Sequence, residues 1–340
     1  MKEDKTGVLL VNLGTPGSAT VPSIRKYLKA FLMDEHVIQL PWLIRAVLVY
    51  GLILPFRPSK ILKAYQAIWT EQGSPLLILS QELKQALQNS LGEKFQVELA
   101  MRYGEPSIKS GLNALVNTCD KIIIIPQFPQ YAQSTTYSVY QEIFGYFKNT
   151  ITLPELVMIQ DFYDMPAFIQ AQANQLKQAL SKQTFEPDYY LFSFHGLPEH
   201  HVKKMDRLPC DLNRSCPSVE INNRYCYRAQ CYETARLLAK ELNLSDSQYQ
   251  VSFQSRLGRT PWIKPYTDLV LPELRKKGVK NLAIACPAFT IDCLETLEEI
   301  NIRARQQWQN LGGEGFVVAS CVNSNSTWVT GLKEIIQSKT

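Results

Sequence analysis

The sequence predicts an α/β fold of two doubly wound domains with parallel sheets, and three observations predict it. Short β-rich apolar runs alternate with helical patterns from end to end, as strand–crossover–strand units do. Runs such as Lys121-Ile122-Ile123-Ile124-Ile125-Pro126 and Tyr189-Tyr190-Leu191-Phe192-Ser193-Phe194 are apolar without a polar alternate, as strands covered on both faces are. The chain of 340 residues is long enough for two cores, and the alternation falls into two halves of similar size.

In order, Val8 to Leu13 reads as the first strand, stopped by Gly14-Thr15-Pro16-Gly17, and about 22–32 as a helix. Residues 61–70 and 81–91 have helical period, the second ending at Gly92, a good stop. Strands at 95–101 and 121–126 enclose a helix over about 108–117, and a loop over 127–136 leads into a helix to about Phe147. Strand 155–160 and helix 166–181 precede the strand ending at His195. The second half continues with helix 233–242, strand 250–254, helix 267–277, strand 281–286, a long helix 291–309, strand 316–322 and a short last helix.

With 45% hydrophobic and 20% charged residues the chain reads as globular, and a net charge of +5 with no long basic run is too mild to argue for nucleic acid. Met1 to Lys5 leads into a strand without a signal-peptide core, so the cytoplasm is the expected compartment. There the eight cysteines should be mostly reduced, and clusters among them point to metal. One stretch stands apart: from Val37 to Phe56 the chain is apolar and aromatic, interrupted by Pro41, Arg45 and Pro55, and too short to cross a bilayer cleanly. It is either a buried helix or an exposed lip over a greasy ligand or membrane face.

The residues with chemistry begin at His195, which falls at the carboxyl end of a buried strand, where open α/β sheets place ligand crevices. An imidazole there takes a proton near neutral pH, binds a metal, or merely caps the strand. About a hundred residues on, Asp292, Glu295 and Glu299 stand at i, i+3 and i+7, one face of a helix entered from another strand end. Such a row is usually a solvated surface; facing a cleft, it guides a cation in or carries protons out, and with a histidine opposite it suits a divalent ion such as Fe²⁺. Cys210, Cys216, Cys226 and Cys231 lie close together in an irregular segment, as ligands of an Fe–S cluster or a structural zinc, or as four thiols. Cys119 and Cys321 read as core, and adjacent His200 and His201 as surface histidines. Gly14 to Gly17 lacks the glycine fingerprint and lysine of a phosphate loop.

Taken together, these segments resemble the ferrochelatase family. The resemblance runs through Asn12-Leu13-Gly14-Thr15-Pro16, Met101-Arg102-Tyr103-Gly104, Pro129-Gln130-Tyr131 with Ser134-Thr135-Thr136, and Ser193-Phe194-His195-Gly196-Leu197-Pro198. It continues through Phe253-Gln254-Ser255-Arg256 with Pro261-Trp262, and Pro287-Ala288-Phe289 with Asp292 and Leu294-Glu295-Thr296-Leu297. It implies two Rossmann-like domains of chelatase type with a cleft between them. The first would span 1–160, carry the apolar lip at about 37–56 and be joined by 318–340; the second would span 161–317 and carry His195, Glu295 and a cysteine-bearing insertion at 207–230.

The resemblance also implies the reaction: insertion of Fe²⁺ into protoporphyrin IX to form protohaem with release of two protons, the last step of haem synthesis. His195 and Glu295 would meet the iron from opposite faces of the porphyrin, with Asp292 and Glu299 behind Glu295 as proton or metal conduit. Leu13, Arg102, Tyr131, Ser134 and Trp262 would contact the porphyrin, an apolar residue at Leu13 matching the protoporphyrin-using branch. Cys293 stands where some relatives have histidine, and Cys210, Cys216, Cys226 and Cys231 match relatives that carry a [2Fe–2S] cluster. Peripheral contact with the inner membrane face would follow from the lip. Alternative readings are a cobalt or nickel chelatase for another tetrapyrrole, for which four histidines are few, and a haem or metal carrier without turnover.

Overall fold

A computed structural model describes residues 5–205, 212, 214–258 and 260–340. The chain divides into two compact units, one of Met1–Phe128, Ala132–Asp161 and Val329–Thr340, the other of Pro129–Tyr131 and Phe162–Trp328.

The first unit is built on a four-stranded parallel sheet in the order β2-β1-β3-β4, with β1 Lys5–Asn12, β2 Phe95–Met101, β3 Cys119–Pro126 and β4 Glu155–Met158. Val8 to Val11 and Ile122 to Ile125 are each 0% exposed, so both central strands are buried on both faces, as their unbroken apolar runs require. One face packs Leu9, Val11, Ile122 and Ile124 against Ile108, Leu112 and Leu115 of the helix Ile108–Leu115 and Val139 and Ile143 of Ser138–Phe147.

Past the sheet, the chain after β1 stays zipped to the chain after β2: Arg102 donates its N–H to Asn12 O (2.8 Å) and Tyr103 to Leu13 O (2.8 Å). At Gly14 (φ +116°) an added Cβ would lie 1.8 Å from the Tyr103 carbonyl oxygen. Glycine is demanded there by this close crossing, which accounts for the Gly-Thr-Pro-Gly run without any phosphate.

The stretch from Val37 to Phe56 turns its apolar side outward. It forms a short α-helix, Trp42–Ala46, running into a π-helix, Val47–Ile53. Trp42, Leu43, Val47, Leu52 and Phe56 are each 63–71% exposed, whereas Arg45 is buried and donates through Nη1 to the carbonyls of Ile38 and Leu40. The stretch is therefore not the buried helix of the first sequence expectation, since most of its large apolar side chains are exposed.

The second unit repeats the design: β5 Tyr189–His195, β6 Tyr249–Gln254, β7 Asn281–Ala285 and β8 Gly315–Val318 form a parallel sheet in the order β6-β5-β7-β8. Leu191 to Phe194 in β5 are all 0% exposed. Leu191, Leu282 and Ile284 pack with Val270, Leu271 and Leu274 of the helix Thr267–Lys276, and with Ile300 and Trp308. Because β8 is paired to β7 through Ile284↔Val318, the return into the first unit begins at Val329, beyond residue 318.

From β5 the chain crosses to one side to make β6, then to the other to make β7. This reversal makes the carboxyl ends of β5 and β7 a topological switch point, the place where open α/β sheets take ligands. His195 ends β5, and the segment bearing Glu295 follows β7. The long helix expected from residue 291 differs in kind: Glu295–Ala304 is a π-helix, and only Arg305–Asn310 continues as α-helix. Asp292 therefore lies before the helix rather than on its face.

Candidate active site

His195 is half-buried and fixed from several sides. Its carbonyl accepts the hydroxyl of buried Tyr227 (2.7 Å), and its Nδ1 lies 2.6 Å from Gly196 O. A carbonyl only accepts, so Nδ1 carries the proton and Nε2 is left with the lone pair. The ring centroid is 6.4 Å from that of Trp262 and 6.2 Å from that of Phe289. Trp262 is held by Nε1 donating to Leu257 O (2.8 Å), while Glu199 and Ile263 N–H groups stitch the loop after His195 to the Trp262 segment. Gly196 permits this closeness, since an added Cβ would lie 2.9 Å from Gln254 O.

The three carboxylates divide into different states. Asp292, 5% exposed, accepts Thr296 Oγ1 (2.8 Å), Asn323 Nδ2 (2.8 Å) and the Cys321 N–H (3.2 Å to each oxygen). It ties the loop after β7 to the loop after β8. Glu299 accepts the N–H (2.9 Å) and hydroxyl (2.5 Å) of Ser255, a residue held at φ +66°. Glu295 is half-buried, and among the described residues its carboxylate meets only the weak thiol donor of Cys293. Burial pushes the Cys293 thiol well above its ordinary pKa, and the neighbouring Glu295 charge adds to this, so it stays a protonated donor. Glu295 is thus the member of the row with open lone pairs.

The expected porphyrin contacts are placed as follows. Leu13 is half-buried just past the end of β1, and Ser134 lies in the π-helix Gln133–Tyr137, both in the first unit. Tyr131 belongs to the second unit, its N–H on Gln230 Oε1 (2.6 Å) and its ring 6.4 Å from Tyr225. Arg102 is engaged by its own unit: Nη2 on Asp34 Oδ2 (2.8 Å), Nε on Ser138 Oγ (2.8 Å), Nη1 3.3 Å from Glu142. Asp34 also accepts the hydroxyls of Tyr103 (2.7 Å) and Ser138 (2.6 Å) and the His36 N–H (2.7 Å). A porphyrin carboxylate reaching Arg102 competes with this network.

Of the four clustered cysteines, Cys210 lies outside the described residues. Cys216, Cys226 and Cys231 are buried, and burial pushes the Cys231 thiol well above its ordinary range, with Cys216 and Cys226 near enough to add to the shift. Arg228, 2% exposed, donates Nη1 to Cys216 Sγ (3.1 Å), while its buried Nε has no partner among the described residues. Among the described residues no group of three or more His, Cys, Asp or Glu is arranged to hold a metal ion. His201, expected at the surface, is 2% exposed in the short helix Glu199–Lys203. Burial, helped by the charges of His200 and Lys204, pushes its pKa down to about 4, so it is a neutral core residue.

Phe289, Gln254, Ser255 and Tyr227 are site residues that the search for titratable groups missed. The first three lie inside the segments that carry the family resemblance, which was the available signal; Tyr227 gave none.

Asp34 yields a pH test. Burial alone would raise its pKa, but the hydrogen bonds from Ser138, Tyr103 and His36 and the Arg102 charge outweigh it and hold it below the usual carboxylate range. A depressed folded pKa adds stability above the unfolded value, near 3.8, that is lost as pH falls through the folded one. Asp34→Asn should therefore cost about 2–4 kcal/mol at neutral pH. In thermal melts the gap to wild type should narrow below about pH 4; a gap constant with pH contradicts this role.

A family model described as ferrochelatase matches residues 5–340. Ferrochelatase of Legionella pneumophila (strain Paris) is 48% identical over 334 residues, covering 98% of each chain. That of Coxiella burnetii (strain CbuK_Q154) is 47% identical over 335 residues, covering 98% of this chain and 93% of the relative. Among solved structures, SirB from Bacillus subtilis with Fe³⁺ aligns with a TM-score of 0.54 at 13% identity, covering 98% of this chain and 95% of its own. CbiX, a terminal enzyme of sirohaem biosynthesis in denitrifying bacteria, aligns at 0.52 and 12%, covering 98% and 99%. The two structures share the fold alone. With the family model matched over residues 5–340 and relatives 47–48% identical over 98% of its length, the chain belongs to the ferrochelatase family, the metal-inserting lyases that make protohaem.

Proposed function

We propose that the chain inserts Fe²⁺ into protoporphyrin IX with His195 and Glu295 as the two groups that act at the metal. The observation carrying this reading is the pairing of states: an imidazole whose proton is held on Nδ1, leaving Nε2 open, and a carboxylate left open in a row whose other members are engaged.

The reaction needs two things of a protein. Both pyrrole N–H protons must leave as the ion enters, and a flat macrocycle must be bent so that its nitrogen lone pairs become reachable. Nε2 of His195 accepts one proton or holds the ion; Glu295 serves as the second acceptor or ligand. Trp262 and Phe289 flank the imidazole with rigid aromatic surface against which a ring can be pressed. A general base contributes ~10²–10⁴-fold, so bending, driven by contacts remote from the nitrogens, supplies much of the rest. Asp292 and Glu299 act one step back: Asp292 anchors the start of the Glu295 helix through Thr296, and Glu299, held by Ser255, lines the conduit behind Glu295. Leu13, Tyr131 and Ser134 remain candidate porphyrin contacts. Few histidines favour this reading over a cobalt or nickel chelatase, and an open carboxylate beside an open imidazole favours turnover over storage.

The [2Fe–2S] cluster belongs to the same proposal. Cys210, Cys216, Cys226 and Cys231 would hold it. Three buried thiols, of which Cys231 is raised in pKa by its burial, would be stabilised as thiolates by metal, and the buried Arg228 guanidinium, donating to Cys216 Sγ, suits an anionic group nearby.

Peripheral contact of a cytoplasmic enzyme with the inner membrane face is supported by the inverted lip and by exposed Arg25, Lys26 and Lys29 on the helix Val21–Leu32. Among the described residues no single helix is long and apolar enough to cross a membrane; one bent pair, Trp42–Ile53 with Arg57–Ile68 at 67°, passes by length and composition together.

Three outcomes follow. Purified protein given anaerobic Fe²⁺ and protoporphyrin IX should form haem, and His195→Ala should lose at least about 100-fold in rate; wild-type inactivity or an undiminished variant refutes the assignment. Protein as isolated should be red-brown with absorption bleached by dithionite, whereas colourless protein containing zinc or no metal rules the cluster out. Wild type should sediment with anionic phospholipid vesicles and Leu43→Glu should not; equal sedimentation removes the lip from the contact.

A further inference from the structure

Gln254, the last residue of β6, is 3% exposed, and its polar atoms reach both halves of the candidate site. It is the register partner of His195, and its carbonyl accepts the Gly196 N–H at 2.8 Å. Its side-chain Nε2 donates to the carbonyl of Glu295, the first residue of the π-helix, at 3.0 Å. Its Oε1 accepts the Ser193 hydroxyl at 2.8 Å and, more weakly, the Cys286 thiol at 3.7 Å.

The orientation of the amide is fixed by these partners. With Oε1 facing a hydroxyl that is itself bonded to Thr267, which bonds Ser252, Nε2 is left pointing at Glu295. Ser193 and Ser252 are 0% exposed and Thr267 4%, so the whole chain of groups is buried. Burying an amide and three hydroxyls is expensive unless each is satisfied, and a leucine would fill the same volume with no such demand. The amide is therefore present for what it connects: the strand end that bears the imidazole and the helix start that bears the open carboxylate.

We propose that Gln254 is a positioning residue that sets the separation of the His195 imidazole and the Glu295 carboxylate, and through it which divalent ion is inserted fastest; this rests on the assignment of those two residues above. The π repeat is a rare register found most often at functional sites, and here the Gln254 bond reaches its first residue from outside the helix. Removing the Nε2 donor frees the first turn to relax, moving Glu295 against Glu299, which Ser255 holds in place. A displacement of about 1 Å at such a gap costs on the order of 100-fold in rate. The loss differs between ions because their preferred ligand distances and geometries differ.

The experiment compares wild type, Gln254→Leu and Ser193→Ala with protoporphyrin IX and either Fe²⁺ or Zn²⁺, alongside thermal melts. For Gln254→Leu, kcat with Fe²⁺ should fall at least about tenfold with porphyrin KM within about twofold, and the Fe²⁺:Zn²⁺ ratio of kcat should shift at least about fivefold. Ser193→Ala, which only loosens the amide, should shift the ratio in the same direction by about twofold or more. If Gln254→Leu does not fold, Ser193→Ala carries the test by itself. An unchanged ratio, whether both rates stay at wild type or fall by the same factor, overturns the proposal. His195→Ala and Glu295→Gln run in parallel: wild-type rates there overturn the site assignment itself, separately from Gln254.

Discussion

The parallel pairing of β5 with β6 on one side and β7 on the other is the constraint on which the rest depends. Six residue pairs join β5 to β6, from Tyr190↔Tyr249 to His195↔Gln254, and four join it to β7. That register places the imidazole, the amide of Gln254 and the exit of β7 at one end of the sheet. A slip of one residue would turn His195 to the other face and leave Ser193 without its buried partners. The interior supporting this end is unusually polar for a β-sheet core: Ser193, Ser252, Thr267 and Gln254 are satisfied by one another. Such networks are stable only when complete, and complete ones rigidify what they touch.

Electrostatic labour in the candidate site is divided by hydrogen bonding. Three carboxylates stand close in sequence, yet Asp292 is filled with strong donors, Glu299 is taken by Ser255, and Glu295 is left with a thiol. Donors that bond a carboxylate occupy its lone pairs and hold it in place, leaving little of it to meet an incoming group. The residue without them is the one able to take a proton or a metal. Tyr227 and Gly196 do the matching task for His195 by holding its backbone and its Nδ1 proton.

Much of the fold was legible in the sequence because its strands are buried on both faces and their apolar runs are unbroken. Positions of His195 and Glu295 at strand ends followed from the same reasoning. Three features were not legible, each for a physical reason. The apolar spacing after residue 291 fits an α-helix, and nothing local marks a π repeat, whose first residue is bonded by Gln254 from another strand. Asp292 looks like part of a surface row because its partners, Cys321 and Asn323, are about thirty residues away in sequence. His201 reads as exposed beside His200, but one turn of helix buries one neighbour and exposes the other. The apolar stretch around Trp42 shows the converse: its pattern admits both readings, and the turning inward of Arg45 decides between them.

Iron-edge anomalous diffraction from crystals grown anaerobically with Fe²⁺ and no porphyrin addresses the central assignment most directly. The geometry predicts an iron peak at about 2.0–2.3 Å from Nε2 of His195 or a carboxylate oxygen of Glu295. An ordered iron bound elsewhere in the molecule, with both of these groups uncoordinated, would contradict it.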